Sequence, residues 1–224
     1  MGRIFVPAGT AEDWAQFLAE PVKHWKTGYS ARTLAHCWQD ADGFPVEIAS
    51  ALETSDTLRG MKMLLGIPEH QVAIPGGSTK SQNDVWALGK CGEQLVSIAV
   101  EGKVSEPFDR TVAEWLEPET PGKHIRLQFL TKTLGLREVP SSIRYQLLHR
   151  TASAILEAER FNATHALMLV HSFSQTHEWF EDYRAFAALF GIDAELKRVH
   201  MAKRVGGVTL HLGWVCGAAE YLRR

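Results

Sequence analysis

A chain of 224 residues, 45% hydrophobic and 22% charged, has an ordinary globular composition, which excludes disordered and fibrous classes. That length buries a full core without staples, and the formal net charge of −2 gives no global attraction to nucleic acid, so any such binding must come from a local patch. Cys37, Cys91 and Cys216 are scattered, odd in number and form no CxxC pair; this argues against a disulfide framework or a zinc site and for a reducing, cytoplasmic home. No apolar run approaches the length of a membrane span, and the opening MGRIFVPAGTAEDW lacks the apolar stretch of a signal peptide, so neither membrane insertion nor export is expected.

In chain order, residues 1–44 read as an N-terminal helical extension. Thr10 or Asp13 suits a cap for a helix carrying Trp14, Phe17 and Leu18, which Pro21 stops. Ser30 suits the cap of SARTLAHCWQDA, where Leu34, Cys37 and Trp38 form one stripe. The aromatics Trp14, Trp25, Tyr29 and Trp38 fall at helical spacing, which favours packing over a stacking platform. From Pro45, FPVEIASALETSDTLRGMKMLLGI reads as a longer helix, broken near Ser55-Asp56, with Glu47 opposite its apolar face, where a solvated carboxylate is favoured over an extra metal ligand. A short strand over Gln71–Ile74 follows, closed by Pro75-Gly76-Gly77. The loop GGSTKSQND fails the phosphate-loop template because no glycine precedes Lys80, so it reads as a polar loop bordering a site.

DVWALGKCGEQLVSIAVEGK, Asp84 to Lys103, reads as a β-hairpin about Gly92-Glu93, whose leading glycine suits a type II′ turn. Asp84 and Glu101 are equally far from that turn, so they become direct cross-strand neighbours. Residues two apart on a strand share a face, which puts Lys103 beside Glu101. Like charges placed opposite each other are destabilising unless something positive lies between them. A divalent metal and a lysine fit that need.

Helical stretches are expected over Thr111–Leu116 and over Ile125–Leu134, ending at Gly135. The strongest helix, IRYQLLHRTASAILEAERF, runs to Asn162, with Ser141 or Ser142 as its cap. Its apolar face is Leu147, Leu148, Ala152, Ile155 and Leu156; Gln146, His149, Arg150, Ser153 and Glu157 make a polar one. HALMLVHSF, from His165, is too short and apolar for anything but a buried strand. A helix built on Trp179, Tyr183 and Phe186 ends at Gly191, and two strands about Gly206-Gly207 complete an α/β fold with a mixed central sheet flanked by helices.

An Asp opening one central strand and a Glu-x-Lys closing the next resembles the PD-(D/E)xK nuclease superfamily, over about Pro45 to Phe173. The whole chain is also similar to an uncharacterised bacterial family, through phrases such as VEGKVSEPF and LLHRTASA. The first resemblance implies a restriction-endonuclease-like core in residues 45–224. It places Asp84 at the motif's aspartate, although Asn83 replaces the usual preceding proline, and Glu101 and Lys103 at the (D/E)xK pair. Gln146 falls where members carry a polar residue on the following helix. The implied activity is divalent-metal-dependent hydrolysis of nucleic acid phosphodiesters, with Asp84, Glu101, Lys103 and Gln146 catalytic.

The chemistry stands beside the resemblance. Magnesium prefers one or two carboxylates and keeps several waters; Asp84, Glu101 and the Gly102 carbonyl suit Mg²⁺ or Mn²⁺, and Lys103 suits the orientation of a nucleophilic water. Arg144, His149, Arg150, Lys203 and Arg204 are the basic or polar candidates for gripping DNA or RNA. A catalytically inactive protein that uses the same fold to bind nucleic acid or a protein partner is the competing expectation, and a phosphate-ester hydrolase for small molecules is a third. His165, His171 and His177 recur at a spacing that neither a helix nor a strand turns into one metal-facing row. No histidine is locally placed to activate Cys91 or Cys216, and no GxSxG or GxGxxG occurs.

Overall fold

The computed structural model describes residues 4–224. A bridge from Ile4 to Gly66 and a 3₁₀ turn over Glu12–Phe17 lead into α1 (Pro21–His24), α2 (Ser30–Asp40) and α3 (Val46–Leu52). The stripe expected for α2 is buried: Leu34, Cys37 and Trp38 pack inward together with Thr33 and Ala35.

The long helix expected from Pro45 stops at Leu52, and Lys62–Val72 is the first strand, β1, rather than its second half. Two local features break it. The Thr54 hydroxyl donates to the Ala51 carbonyl at 2.6 Å, closing the last turn, and Gly60 takes a φ of 73° that a helix does not accept. Beyond Gly60, pairing with β2 (Ser81–Cys91) overrides the helical spacing of the apolar residues, from Lys62↔Lys90 to Val72↔Ser81. The short strand expected at Gln71–Ile74 is thus the tail of a much longer one. Pro68 sits within β1, which is tolerated because β1 is an edge strand.

The hairpin forms in the expected register. β2 pairs with β3 (Gln94–Lys103) from Cys91↔Gln94 to Val85↔Val100, and Gly92 takes the positive φ, 57°, of a type II′ turn. The polar loop is shorter than expected, since Ser81 to Asp84 already belong to β2. After β3 come α4 (Val112–Leu116), capped by a reciprocal Thr111–Glu114 box, α5 (Pro121–Thr133) and α6 (Tyr145–Arg160). The N-cap of α6 is Arg144, and Ser141 and Ser142 lie in the turn before it. β4 (His165–Ser172) then returns parallel to β3, α7 (Phe180–Ala188) follows, and β5 (Arg198–Val205) and β6 (Val208–Cys216) pair about Gly206-Gly207.

The six strands are ordered β1-β2-β3-β4-β6-β5, mixed in direction. Alternation along the strands feeds two cores. Val85, Ile98, Val100, Leu167 and Leu169 face α2 and α3, meeting Leu34, Trp38, Ile48 and Leu52. Ala99, Met168, Val170, Leu212 and Trp214 face α6 and α7, meeting Leu147, Ile155, Tyr183 and Phe186. α2 and α3 both pack into the first of these cores. Three members of the polar face of α6, Arg150, Ser153 and Glu157, are buried against the sheet rather than solvated. No helix among the described residues is long and apolar enough to cross a membrane.

Candidate active site

Three carboxylates line up across three adjacent strands. The β2–β3 register places Asp84 opposite Glu101. The pairs Pro68↔Val85 and His70↔Asn83 place Glu69, on β1, opposite Asp84 from the other side. Glu69 is the member that sequence reasoning missed: it lies between the helix expected to end at Ile67 and the strand expected from Gln71, inside what is one strand, β1. Its backbone is unusual, with a φ of 53° in the left-handed region that only glycine enters freely.

Lys103, Gln146 and Arg150 close over Glu101. Lys103 Nζ donates to Glu101 Oε1 at 2.8 Å and to Gln146 Oε1 at 3.1 Å, and lies 5.0 Å from the Phe108 ring centre. Gln146 Nε2 donates to the same Glu101 Oε1 at 2.7 Å, and Arg150 Nε donates to Oε2 at 2.5 Å. Gln146 and Arg150 are one helical turn apart on α6, so one helix face delivers both. Asp84 Oδ2 accepts the Gly102 N–H at 2.7 Å. A side chain at Gly102 would meet Asp84 Oδ2 and Leu34 each at 3.2 Å, which explains a glycine between Glu101 and Lys103. Glu69 Oε2 accepts from Gln82 Nε2 at 2.6 Å.

The electrostatics divide the row. Burial alone would raise Glu101, but Arg150 and Lys103 outweigh it and hold the carboxyl below its ordinary range. Asp84 is pushed up to about 7, first by burial and then by the Glu101 charge. Glu69 is pushed up to about 8, by burial and then by Asp84. Both cations of the cluster donate to Glu101, so Asp84 and Glu69 are short of positive charge. His149 is kept neutral by burial and by the Arg150 charge, and its Nδ1 lies 2.8 Å from Ser81 Oγ.

The row floors an open cleft of about 550 Å³, whose opposite wall comes from the N-terminal segment through Lys23, Lys26 and Tyr29. Glu106 ties that wall down by accepting the Ser30 N–H at 3.2 Å and the Val104 N–H at 3.2 Å. Asp84, Glu101, Lys103, Gln146 and Arg150 therefore converge, as the sequence suggested. Of the other expected residues, Arg144 is held by Asp182 at 2.8 Å and by the Asp109 carbonyl at 2.9 Å, outside the cleft. Lys203 donates to the Gly135 carbonyl at 2.6 Å, and both it and Arg204 lie on β5, the far edge strand. Arg204 pairs with Thr209, which pairs in turn with His165 at the start of β4, whereas Glu101 pairs with Val170 near its end. The structure does not bring Lys203 and Arg204 to the acid row.

Among the described residues, the one group of His, Cys, Asp or Glu whose ligand atoms all lie within 4.8 Å of one another is elsewhere: Cys37, Glu47 and His171. The acid row is looser, its oxygens drawn apart toward Gln82, the Gly102 N–H, Lys103, Gln146 and Arg150. Its donor set is nevertheless hard oxygen throughout, the kind that magnesium and manganese prefer.

The chain belongs to the family described as Domain of unknown function (DUF6946), whose model matches residues 7–219. No curated protein and no solved structure is similar enough to match the chain.

Proposed function

We propose that this member of the family is a divalent-metal-dependent hydrolase of nucleic acid phosphodiester bonds, built on a PD-(D/E)xK-like site. The observation that carries the reading is the row Glu69–Asp84–Glu101 beside Lys103 in an open cleft. In it, three acids face two cations that both neutralise the same acid. Glu69, Asp84 and Glu101, with the Gly102 carbonyl, would hold Mg²⁺ or Mn²⁺; the ion, when bound, polarises the phosphate and lowers the pKa of its water. Glu69 and Asp84 gain most, since a cation offsets the burial and the mutual repulsion that keep their protons on.

The protein's own groups do the rest. Lys103 sits where an ammonium would orient the attacking water and offset charge on the phosphate. Gln146 holds Lys103 and Glu101 at fixed distances, and its amide suits a water or a phosphate oxygen once they separate. Arg150 anchors Glu101 and leaves its guanidinium edge toward the cleft.

One observation favours a second reading, a non-catalytic binder of nucleic acid or of a protein partner. Glu101 is saturated by Lys103, Gln146 and Arg150, and the buried Lys103–Glu101 pair is already complete at 2.8 Å. Calorimetric titration with Mn²⁺ separates the two, because the binder shows no metal uptake. Catalysis itself is tested by magnesium-dependent cleavage: the Lys103→Ala protein should lose it, and equal cutting by wild type and variant overturns the assignment.

A further inference from the structure

A second cavity, of about 370 Å³, adjoins the cleft, and the two share Gln82, Gln146 and Arg150 in their linings, so these three side chains form a partition between them. Its charge is the reverse of the acid row's. Lys80, Arg110, Arg126 and Arg150 line it against a single carboxylate, Asp109.

The four cations are not equivalent. Arg126 is buried and donates to the carbonyls of Ile74, Pro75, Gly77 and Thr79 at 2.7–3.3 Å, so it builds the wall and is committed there. Arg150 is buried with Nε on Glu101 and Nη1 on Ser81 Oγ, while Nη2 makes no hydrogen bond among the described residues. Lys80 is exposed and has no ion pair among the described residues, and Arg110 has only a loose contact with Asp109 at 3.9 Å between two exposed side chains. Lys80 and Arg110 are therefore available to a ligand at little cost.

We infer that this cavity is a phosphate subsite. It takes the phosphate of the nucleotide next to the one at the acid row, gripped by Lys80 and Arg110, with the strand crossing the partition at Arg150. A polyanion over a floor of carboxylates needs positive partners for the flanking phosphates, and Lys80 and Arg110 supply two, without a close ion pair among the described residues, in a cavity continuous with the cleft. The inference rests on the phosphodiester reading of the acid row.

The test is binding of a fluorescent single-stranded oligonucleotide by the full chain in chelator, measured across 50–200 mM salt. The Lys80→Ala/Arg110→Ala protein should bind more weakly than wild type, and its log–log salt slope should flatten by about 1.4, the loss expected for two phosphate contacts on a single strand. Lys62→Ala/Lys90→Ala, which removes two cations paired at the other end of the β1–β2 ladder, should bind like wild type. An unchanged slope in the Lys80/Arg110 variant, or an equal loss in the control, overturns the subsite. If wild type cuts with magnesium while the variant's slope is unchanged, the subsite alone falls; a wild type that binds no oligonucleotide removes the nucleic-acid reading and the subsite together.

Discussion

Glu69 stands directly across from Asp84 on the β1–β2 ladder, and it does so with a left-handed backbone, φ 53°, in the middle of an extended strand. Two features that each oppose stability, paired like charges and an unfavourable φ, thus coincide at one position on the cleft floor. Strain of this kind costs on the order of 1–3 kcal/mol and collects where function requires it.

That backbone gives a clean comparison between two substitutions. Glu69→Gly and Glu69→Ala both delete the carboxylate, but only glycine enters the left-handed region freely. Glu69→Gly should be the more stable of the two by about 1 kcal/mol in urea denaturation, the reverse of the usual order in a strand. An alanine variant that is equally stable would show that the φ is not held in solution.

The raised acids set the pH dependence of the metal-free protein. Asp84 and Glu69 bind protons more tightly in the folded chain, near 7 and 8, than in the unfolded one, near their ordinary values of 3.8 and 4.5. The folded state then holds more protons across that interval, so stability falls as pH rises from about 4 to about 8. Asp84→Asn should raise Tm more at pH 8 than at pH 5. A larger gain at pH 5 would reverse the sign of the argument.

Glu101 behaves in the opposite way, because it is the partner of two buried cations. Glu101→Gln removes the carboxylate that directly pairs with both Arg150 and Lys103 and should cost about 3–5 kcal/mol. Arg184→Ala removes comparable pairs with Glu181 and Asp193, but these are exposed and should cost under about 1 kcal/mol. Denaturant midpoints measured side by side check the contrast.

A divalent ion should stabilise the fold by mass action. At a hundredfold excess over Kd the gain is about 2.7 kcal/mol, which for a chain of this size raises Tm by roughly 5–10 °C. The rise should be larger at pH 8 than at pH 5 and should be lost in Asp84→Asn. Thermal scans with Mn²⁺ and with chelator read it directly.

The hairpin was legible in the sequence because its turn announces itself. Gly92 fixes the loop, and counting outward from it puts Asp84 opposite Glu101. α6 was legible because sixteen residues without glycine or proline left few alternatives, and it carried Gln146 and Arg150 to the site. β1 was not, since Met61, Leu64 and Leu65 fall at helical spacing directly after a real helix, and it is pairing with β2 that decides the matter. Glu69 was lost with it, since residues 68–70 fell in the gap between the expected helix and the expected strand at Gln71. Lys203-Arg204 shows the converse: a charge run is visible in sequence, but which edge of the sheet it occupies is a property of strand order.

The most direct measurement is metal-dependent hydrolysis of a nucleic acid substrate by wild type and by Asp84→Asn, each with Mg²⁺, with Mn²⁺ and with chelator. Cleavage by wild type with either metal, abolished by chelator and by Asp84→Asn while the variant remains folded, is the predicted result. Cleavage that survives Asp84→Asn or chelator, or wild type that neither cuts nor takes up metal, would contradict it.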